Sequence, residues 1–373
     1  MNIGLLGFGF MGKTHAYAVD NLKYFYGSYG DVRIKSVCTT RESTAKSAAQ
    51  TYGIENFTVN EDDIINDPSI DVIDVCTPNI YHYETVKKAV LAGKHVYCEK
   101  PLAVSYAQAK ELSELCKEKG VKLQVVFNNR FMPAVLKAKE LMDSGRLGNT
   151  VSFRFAYRHA SCTDPDKNAG WKQNSDICGG GVLFDLGSHA IDLCRFLCGE
   201  LDSISGRSQI YYQTRKGMNG EEWQTNADEA FYMTAALVGG GVGTIEANKL
   251  ALGTNDELSF EIFGEKGALS YSLMQPNYLR FYDLTRDGTY IGGDRGFTDI
   301  ETVGRYPAPG GKFPSFKAPV GWLMGHVESY RCFIDSVRSS APCEPSVEDG
   351  ARVQLIMETA YRSDRENGVF LKI

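Results

Sequence analysis

Gly7-Phe8-Gly9-Phe10-Met11-Gly12 follows a short apolar run, IGLLG at 3–7, and leads straight into a helix-patterned segment. A glycine triplet spaced this way between a strand and a helix constrains the fold more than any other feature of the chain. Gly7 permits a tight turn, Gly9 lets the backbone approach a pyrophosphate, and Gly12 lets helix and strand pack closely. The helix N-terminus then faces the negative charge. The alternative, a glycine-rich turn with no ligand, does not explain why both flanking elements are present. The motif predicts a dinucleotide-binding unit at the N-terminus.

The pattern that follows agrees. From residue 2 to about 127, short apolar runs alternate with helix-patterned stretches, which is how a parallel sheet with right-handed crossover helices reads in sequence. Strands are predicted at 3–7, 34–39, 72–77, 95–100 and 122–127. A helix led by Pro133 ends near SGRLG, and from Thr150 the text changes to alternating strands separated by polar loops. TVSFRFAYR, ISGRSQIYY, EAFYMTAAL, GVGTIEANKL, LSFEIFG and YLRFYD predict a mostly antiparallel sheet. Residues 288–318, rich in Gly and Pro, read as one long loop of candidate functional importance. Helices at about 321–339 and 346–364 close the chain. With 373 residues, two domains are expected, 1–127 and 128–373. The fold class is therefore an α/β N-terminal domain with a doubly wound parallel sheet, the Rossmann arrangement, followed by an α+β C-terminal domain.

Composition excludes several function classes. A hydrophobic fraction of 43% and a charged fraction of 23% are those of a soluble globular enzyme, and no apolar run is long enough to cross a bilayer, so no membrane span is expected. Lys and Arg are scattered and the net charge is −6, which argues against nucleic acid as a partner and favours a small molecule. MNIGLLGFG lacks the basic segment and cleavage site of a secretion signal. The ten cysteines, several inside apolar runs, fit reduced thiols in a cytoplasm. Cys194 and Cys198 lie near His189, but no CxxC pair completes a zinc site, so no metal is expected.

Candidate site residues gather at strand ends, where ligands of such sheets bind. The second strand ends Thr39-Thr40-Arg41 instead of in the carboxylate that usually meets the ribose hydroxyls of NAD. Two hydroxyls and a guanidinium suit a 2′-phosphate, so NADP is favoured; the other reading has Arg41 solvating the next helix and NAD held by backbone groups. Thr77-Pro78-Asn79 ends a further strand, and His82 opens the helix after it, as a cofactor-facing group or as a helix-terminal residue bonded to backbone. Glu99-Lys100-Pro101 ends the next strand, where the X-Pro bond limits how Lys100 is presented. In the second half, Gly179, Gly180 and Gly181 precede a helix carrying Asp185, His189 and Asp192, whose spacings put them on one face. A carboxylate one turn from an imidazole can orient it and make it an effective proton shuttle.

These residues resemble the glucose-fructose oxidoreductase / inositol dehydrogenase / MocA (Gfo/Idh/MocA) family. The likeness runs through GFGFMG, TPNIYH, AGKHVYCEKPL, RFMPAVLKAKELMDSGRLG, GGGVLFDLGSHAIDL and the closing helices. EKP followed by GGGxxxDxGxH at this distance is a specific signature. The resemblance implies an open sheet in the second domain used for oligomer contacts, as a homodimer or homotetramer, with a carbohydrate substrate between the domains. It implies Lys100, Asp185 and His189 as the catalytic set acting with NAD(P), and Asn79, Glu99 and Pro101 around the nicotinamide, with the Lys100–Pro101 bond often cis. Asn128, Arg130, Tyr157, Trp171 and Lys172 are implied as further pocket positions. Thr39 departs from the family pattern, where an Asp is common. The expected activity is hydride transfer to or from a secondary alcohol of a sugar, polyol or glycoside. Two alternatives stand beside it. One is redox-neutral sugar chemistry through a transient keto-sugar with retained cofactor. The other is a non-catalytic sugar sensor, against which the joint presence of Lys100, Asp185 and His189 argues. Tyr212, with Tyr157 and Trp171, offers ring surface to a sugar.

Overall fold

The computed structural model describes residues 1–217, 220–304, 306, 313–315, 317–339 and 341–373. The chain runs β1 (Asn2–Leu6), α1 (Phe10–Tyr26), β2 (Arg33–Cys38), α2 (Glu42–Tyr52), β3 (Asn56–Thr58), α3 (Glu61–Ile65), β4 (Val72–Val75), α4 (His82–Leu91), β5 (His95–Cys98), α5 (Tyr106–Lys119) and β6 (Leu123–Val125). It continues α6 (Pro133–Asp143), β7 (Thr150–Arg158), α7 (Ser175–Cys178), a π-helical turn Leu183–Gly187, α8 (Ser188–Cys198), β8 (Leu201–Gln209), β9 (Thr214–Lys216) and β10 (Glu222–Gln224). The remainder is β11 (Ala230–Leu237), β12 (Val242–Asn248), β13 (Glu257–Gly264), β14 (Gly267–Ser272), β15 (Tyr278–Asp283), β16 (Phe297–Glu301), α9 (Trp322–Arg338), α10 (Val347–Arg365) and β17 (Leu371–Lys372).

Two compact units emerge. The first comprises Met1–Asn128 and Trp322–Gln354 with 313–315; the second comprises Asn129–Tyr306 and Leu355–Ile373 with 317–321. The first holds a six-stranded sheet in the order β3-β2-β1-β4-β5-β6, all parallel. Its strands β4, β5 and β6 are short and almost wholly buried, as expected of a parallel sheet covered on both faces. Strand β3 has no apolar alternation, with Asn56 and Phe57 exposed, and the sequence does not announce it.

Residues 128–373 were expected together, but α9 and the start of α10 fold with the first unit. Helix α9 packs along α1, where the Tyr26 hydroxyl donates to Glu328, Tyr29 to Asp335 (2.5 Å) and Arg338 pairs with Asp31 (2.7 Å). Its inner face buries Tyr330 and Phe333 against Tyr97 of β5. Burying Phe333 alone contributes about 2 kcal/mol.

The second unit is built on a nine-stranded sheet, β16-β15-β14-β13-β7-β12-β11-β8-β17, antiparallel throughout except for the β7–β12 pair. Alternating burial along β11, β13 and β15 shows one covered face, and α8 with the π turn packs on β7 and β12. Strand β16 lies inside 288–318, so that segment is not the uniform loop its composition suggested; residues 305, 307–312 and 316 of it lie outside the described residues. Ser175–Cys198 is long and apolar enough to cross a membrane by length and composition, which the sequence reading did not anticipate. In this fold 83% of that window is buried, as in a core helix.

Candidate active site

The glycine turn has the geometry that phosphate binding needs. Gly7 has φ of +93°, and a Cβ there would lie 2.6 Å from the Cys76 carbonyl oxygen. A Cβ on Gly12 would lie 2.2 Å from the Gly7 carbonyl oxygen, whereas one on Gly9 would meet nothing within 4 Å. Gly7 and Gly12 are thus glycines for packing, and Gly9 leaves an open cradle. Helix α1 begins there with no side-chain cap and no acidic residue in its first turn, so its N-terminal dipole is available to an anion. At the strand ends, buried Thr77 Oγ1 and Asn128 Nδ2 have no hydrogen-bond partner among the described residues. Those residues fit a bound dinucleotide, whose polar groups would satisfy them. Phe8 instead turns into the core against Tyr52. The Thr39 hydroxyl donates to the Arg41 carbonyl (2.9 Å), leaving Thr40 and Arg41 exposed.

Behind this edge lies a buried polar cluster. The His15 ring, on α1, bridges Asp74 of β4 (Nδ1 to Oδ1, 2.8 Å) and Glu99 (Nε2 to Oε1, 3.1 Å), and the Tyr330 hydroxyl donates to the other Asp74 oxygen (2.7 Å). Burial is the largest influence on His15 and works against its charge, but Asp74 and Cys76 outweigh it and raise its pKa well above the ordinary value. Burial likewise works to raise Glu99, yet the hydrogen bond and charge of His15, with Lys100 beside it, bring it down to about 2. The second Glu99 oxygen accepts the Lys100 backbone N–H (3.2 Å), and Lys100–Pro101 is cis. Lys100 itself is half-buried. His15, Asp74 and Cys76 also lie close enough to share a cation, but the hydrogen bonds within the group account for their approach.

In the second unit the turn before α8 is π-helical, and such wide turns recur at functional positions. It carries Asp185, whose carboxylate is held by two ammonium groups: Lys172 Nζ on Oδ1 and Lys249 Nζ on Oδ2, both at 2.9 Å. Lys172 is exposed; Lys249, at the end of β12, is buried. Burial opposes the Lys249 charge, and the Asp185 charge and hydrogen bond reverse that and raise its pKa. His189 is 8% exposed with the Tyr157 ring edge-on at 5.8 Å, and the Tyr157 hydroxyl is fixed by Asp256 (2.8 Å). Upstream, Asp228 accepts the N–H groups of Gly181 (2.9 Å) and Leu183 (3.1 Å) and the Tyr361 hydroxyl. A Cβ on Gly181 would lie 2.3 Å from Asp228 backbone atoms, so that glycine serves close packing that anchors the Asp185–His189 segment.

Comparison with known proteins decides the family. Residues 1–127 match the model for the Gfo/Idh/MocA oxidoreductase family with its NAD-binding Rossmann fold, and 135–270 match the Gfo/Idh/MocA C-terminal domain. Over 97% of its length the chain is 30% identical to 96% of a levoglucosan dehydrogenase from Pseudarthrobacter phenanthrenivorans. This chain belongs to the Gfo/Idh/MocA family. A myo-inositol 2-dehydrogenase from Thermotoga maritima is 26% identical, covering 98% of the chain and 97% of the relative. The solved structure of a levoglucosan dehydrogenase in complex with NADH and levoglucosan superimposes with a TM-score of 0.94 at 29% identity, covering 100% of this chain and 99% of that one.

Seen as a Gfo/Idh/MocA protein, several residues have roles other than those expected. Arg130, expected in the pocket, is buried and clasps Asp192 through two hydrogen bonds, one of 2.8 Å. Asp192, expected to flank His189 as a second acid, is engaged in that pair. The π turn also breaks the regular helical spacing that put Asp185, His189 and Asp192 on one face. Of the two readings of His82, the structure shows the backbone-bonded one: fully buried, it links the Thr77 carbonyl (2.8 Å) to that of Pro101 (2.7 Å) and braces two strand-end turns. Tyr212 donates to the Thr163 carbonyl (3.0 Å) and supports the loop bearing Trp171. Asn79 is buried in a 3-10 turn after Pro78. The sequence reading missed Lys249 and His15. GVGTIEANKL carried a visible strand signal but nothing to aim its last lysine, and His15 sits three residues past the glycine motif, where its spacing into α1 was the available clue.

Proposed function

We propose that this Gfo/Idh/MocA member oxidises a secondary alcohol of a sugar or polyol with NAD(P). The observation that carries the proposal is an Asp185 carboxylate pinned by two lysines beside His189. Such a set reads hydroxyl groups: Asp185 accepts from one, while the imidazole takes the proton of another as its carbon is oxidised. Lys100 supplies an ammonium that favours the developing alkoxide. When bound, an oxidised nicotinamide supplies the hydride acceptor, and Gly9, the α1 N-terminus, Thr77, Asn79, Glu99 and Asn128 are the residues that would hold it. The names of relatives support the substrate class, since levoglucosan, inositol and D-xylose dehydrogenases are among them.

We also infer a preference for NADP, supported by the exposed Thr40 and Arg41 just after β2, where the sequence has Thr39 in place of an acidic residue. The relatives include scyllo-inositol dehydrogenases of both NAD and NADP type. We place the protein in the cytoplasm as a homodimer or homotetramer. Exposed Tyr232 and Val242, on one face of the neighbouring strands β11 and β12, support self-association.

The test is a panel of levoglucosan, myo-inositol, scyllo-inositol and D-xylose with each cofactor, following reduced nicotinamide. Turnover of at least one, faster with NADP, is expected. No reduction of either cofactor by any of the four, with the cofactor demonstrably bound, would refute the dehydrogenase reading for this substrate class.

A further inference from the structure

We propose that His326 and Trp322 of α9 are cofactor-binding residues, contributed to the dinucleotide domain by the far end of the chain and directed at its nicotinamide riboside half. The inference rests on the dinucleotide reading of the glycine turn and extends it to a helix that neither the motif nor the family match at 1–127 includes.

His326 is 1% exposed, and neither ring nitrogen has a hydrogen-bond partner among the described residues. A buried imidazole left this way forfeits its hydration and gains nothing in return. It is held neutral: burial first, then the charge of His15, depress its pKa to about 3, while Glu99 opposes them. A neutral imidazole offers one donor and one acceptor, the pair that a carboxamide or a ribose hydroxyl requires. Its position is also informative. Its ring lies 5.9 Å from His15, whose other partner Glu99 precedes Lys100 at the end of β5. On its other side Trp322 packs edge-on at 4.4 Å, and Trp322 stacks on Phe10 at 5.8 Å. Phe10 belongs to the glycine turn and is 73% exposed. An aromatic cover therefore runs from the phosphate cradle, where Phe10 is exposed, to a buried, unsatisfied imidazole. Among the described residues no polar group hydrogen-bonds that imidazole, and the sheet edge it borders is the one at which a dinucleotide would lie.

The test measures equilibrium binding of NADH, NADPH and ADP-ribose to the full chain, with thermal unfolding of the apoprotein alongside. For His326→Leu, which fills the volume without polarity, we expect unchanged or higher thermal stability and about tenfold weaker NADH and NADPH binding, the worth of one hydrogen bond. ADP-ribose, which lacks the nicotinamide, should bind as to the wild type. Trp322→Ala should weaken NADH severalfold, with partial recovery in Trp322→Phe. If His326→Leu binds NADH like the wild type, or loses NADH and ADP-ribose equally, the proposal is overturned. Failure of the wild type to bind any of the three would overturn the dinucleotide reading as well, so the two failures are distinguishable.

Discussion

Lys249→Met is the most informative single substitution in the second unit. It deletes the ammonium that lies 2.9 Å from Asp185 Oδ2 and is 5% exposed, while leaving the stem volume in place. Removing one partner of a buried ion pair costs about 3–5 kcal/mol. Here Lys172 still holds Oδ1 and Asp185 is 15% exposed, so a loss near the low end, about 3 kcal/mol, is expected. For a unit of this size that is a fall of roughly 6–12 °C in unfolding temperature. Adding Asp185→Leu to Lys249→Met should restore most of the loss, because the uncompensated charge goes with it. The sign with pH follows from the raised Lys249 pKa. Its contribution is complete below the ordinary lysine range and disappears only as pH rises through the higher folded value, so the wild-type advantage should be constant across neutral pH. Differential scanning calorimetry of the wild type, both single variants and the double variant reads all of this. If Lys249→Met unfolds at the wild-type temperature, or the double variant is worse than the sum of the singles, the reasoning fails.

Arg130→Met should destabilise by about 3–5 kcal/mol through the orphaned Asp192, and Arg130→Met with Asp192→Leu should recover most of it in the same assay. Gly181→Ala should yield a protein at least about 2 kcal/mol less stable, because its Cβ would meet the Asp228 backbone at 2.3 Å; wild-type melting would contradict the packing role. His326 is depressed to about 3 from 6.5, so the unfolded chain takes up a proton that the folded chain refuses in that interval. Its contribution is full above pH 6.5 and falls by up to about 1.4 kcal/mol per pH unit on acidification. His326→Leu should remove that slope from the difference between wild-type and variant urea titrations at pH 7 and pH 5, and equal differences would refute it.

What could be read from sequence was what has a local physical signal. The glycine turn, the buried parallel strands and the alternating β7, β11 and β13 each carry their own periodicity or stereochemistry, and the structure has them where expected. Strand β3, with two of three residues exposed, has no such signal. The assignment of α9 to the first unit could not be read at all, because it depends on which apolar face Tyr330 and Phe333 meet, and only tertiary packing decides that. Likewise the helical spacing drew attention to Asp185 and His189, but it could not anticipate the π turn. Nor could it show that Asp192 is taken by Arg130 and that Asp185 is taken by a lysine from the end of β12. Charged partners distant in sequence leave no trace in local pattern.

Under the proposed function, Lys100 and His189 both serve the hydride-transfer step. Turnover of the best sugar in the panel, measured for Lys100→Ala, His189→Ala and the double variant with saturating cofactor, tests it most directly. Each single variant should be slower by about 10²–10⁴, and the double variant should be little slower than the worse single, as for groups that serve the same transition state. Wild-type turnover in either single variant, or rate losses that multiply in the double variant, would contradict the claim.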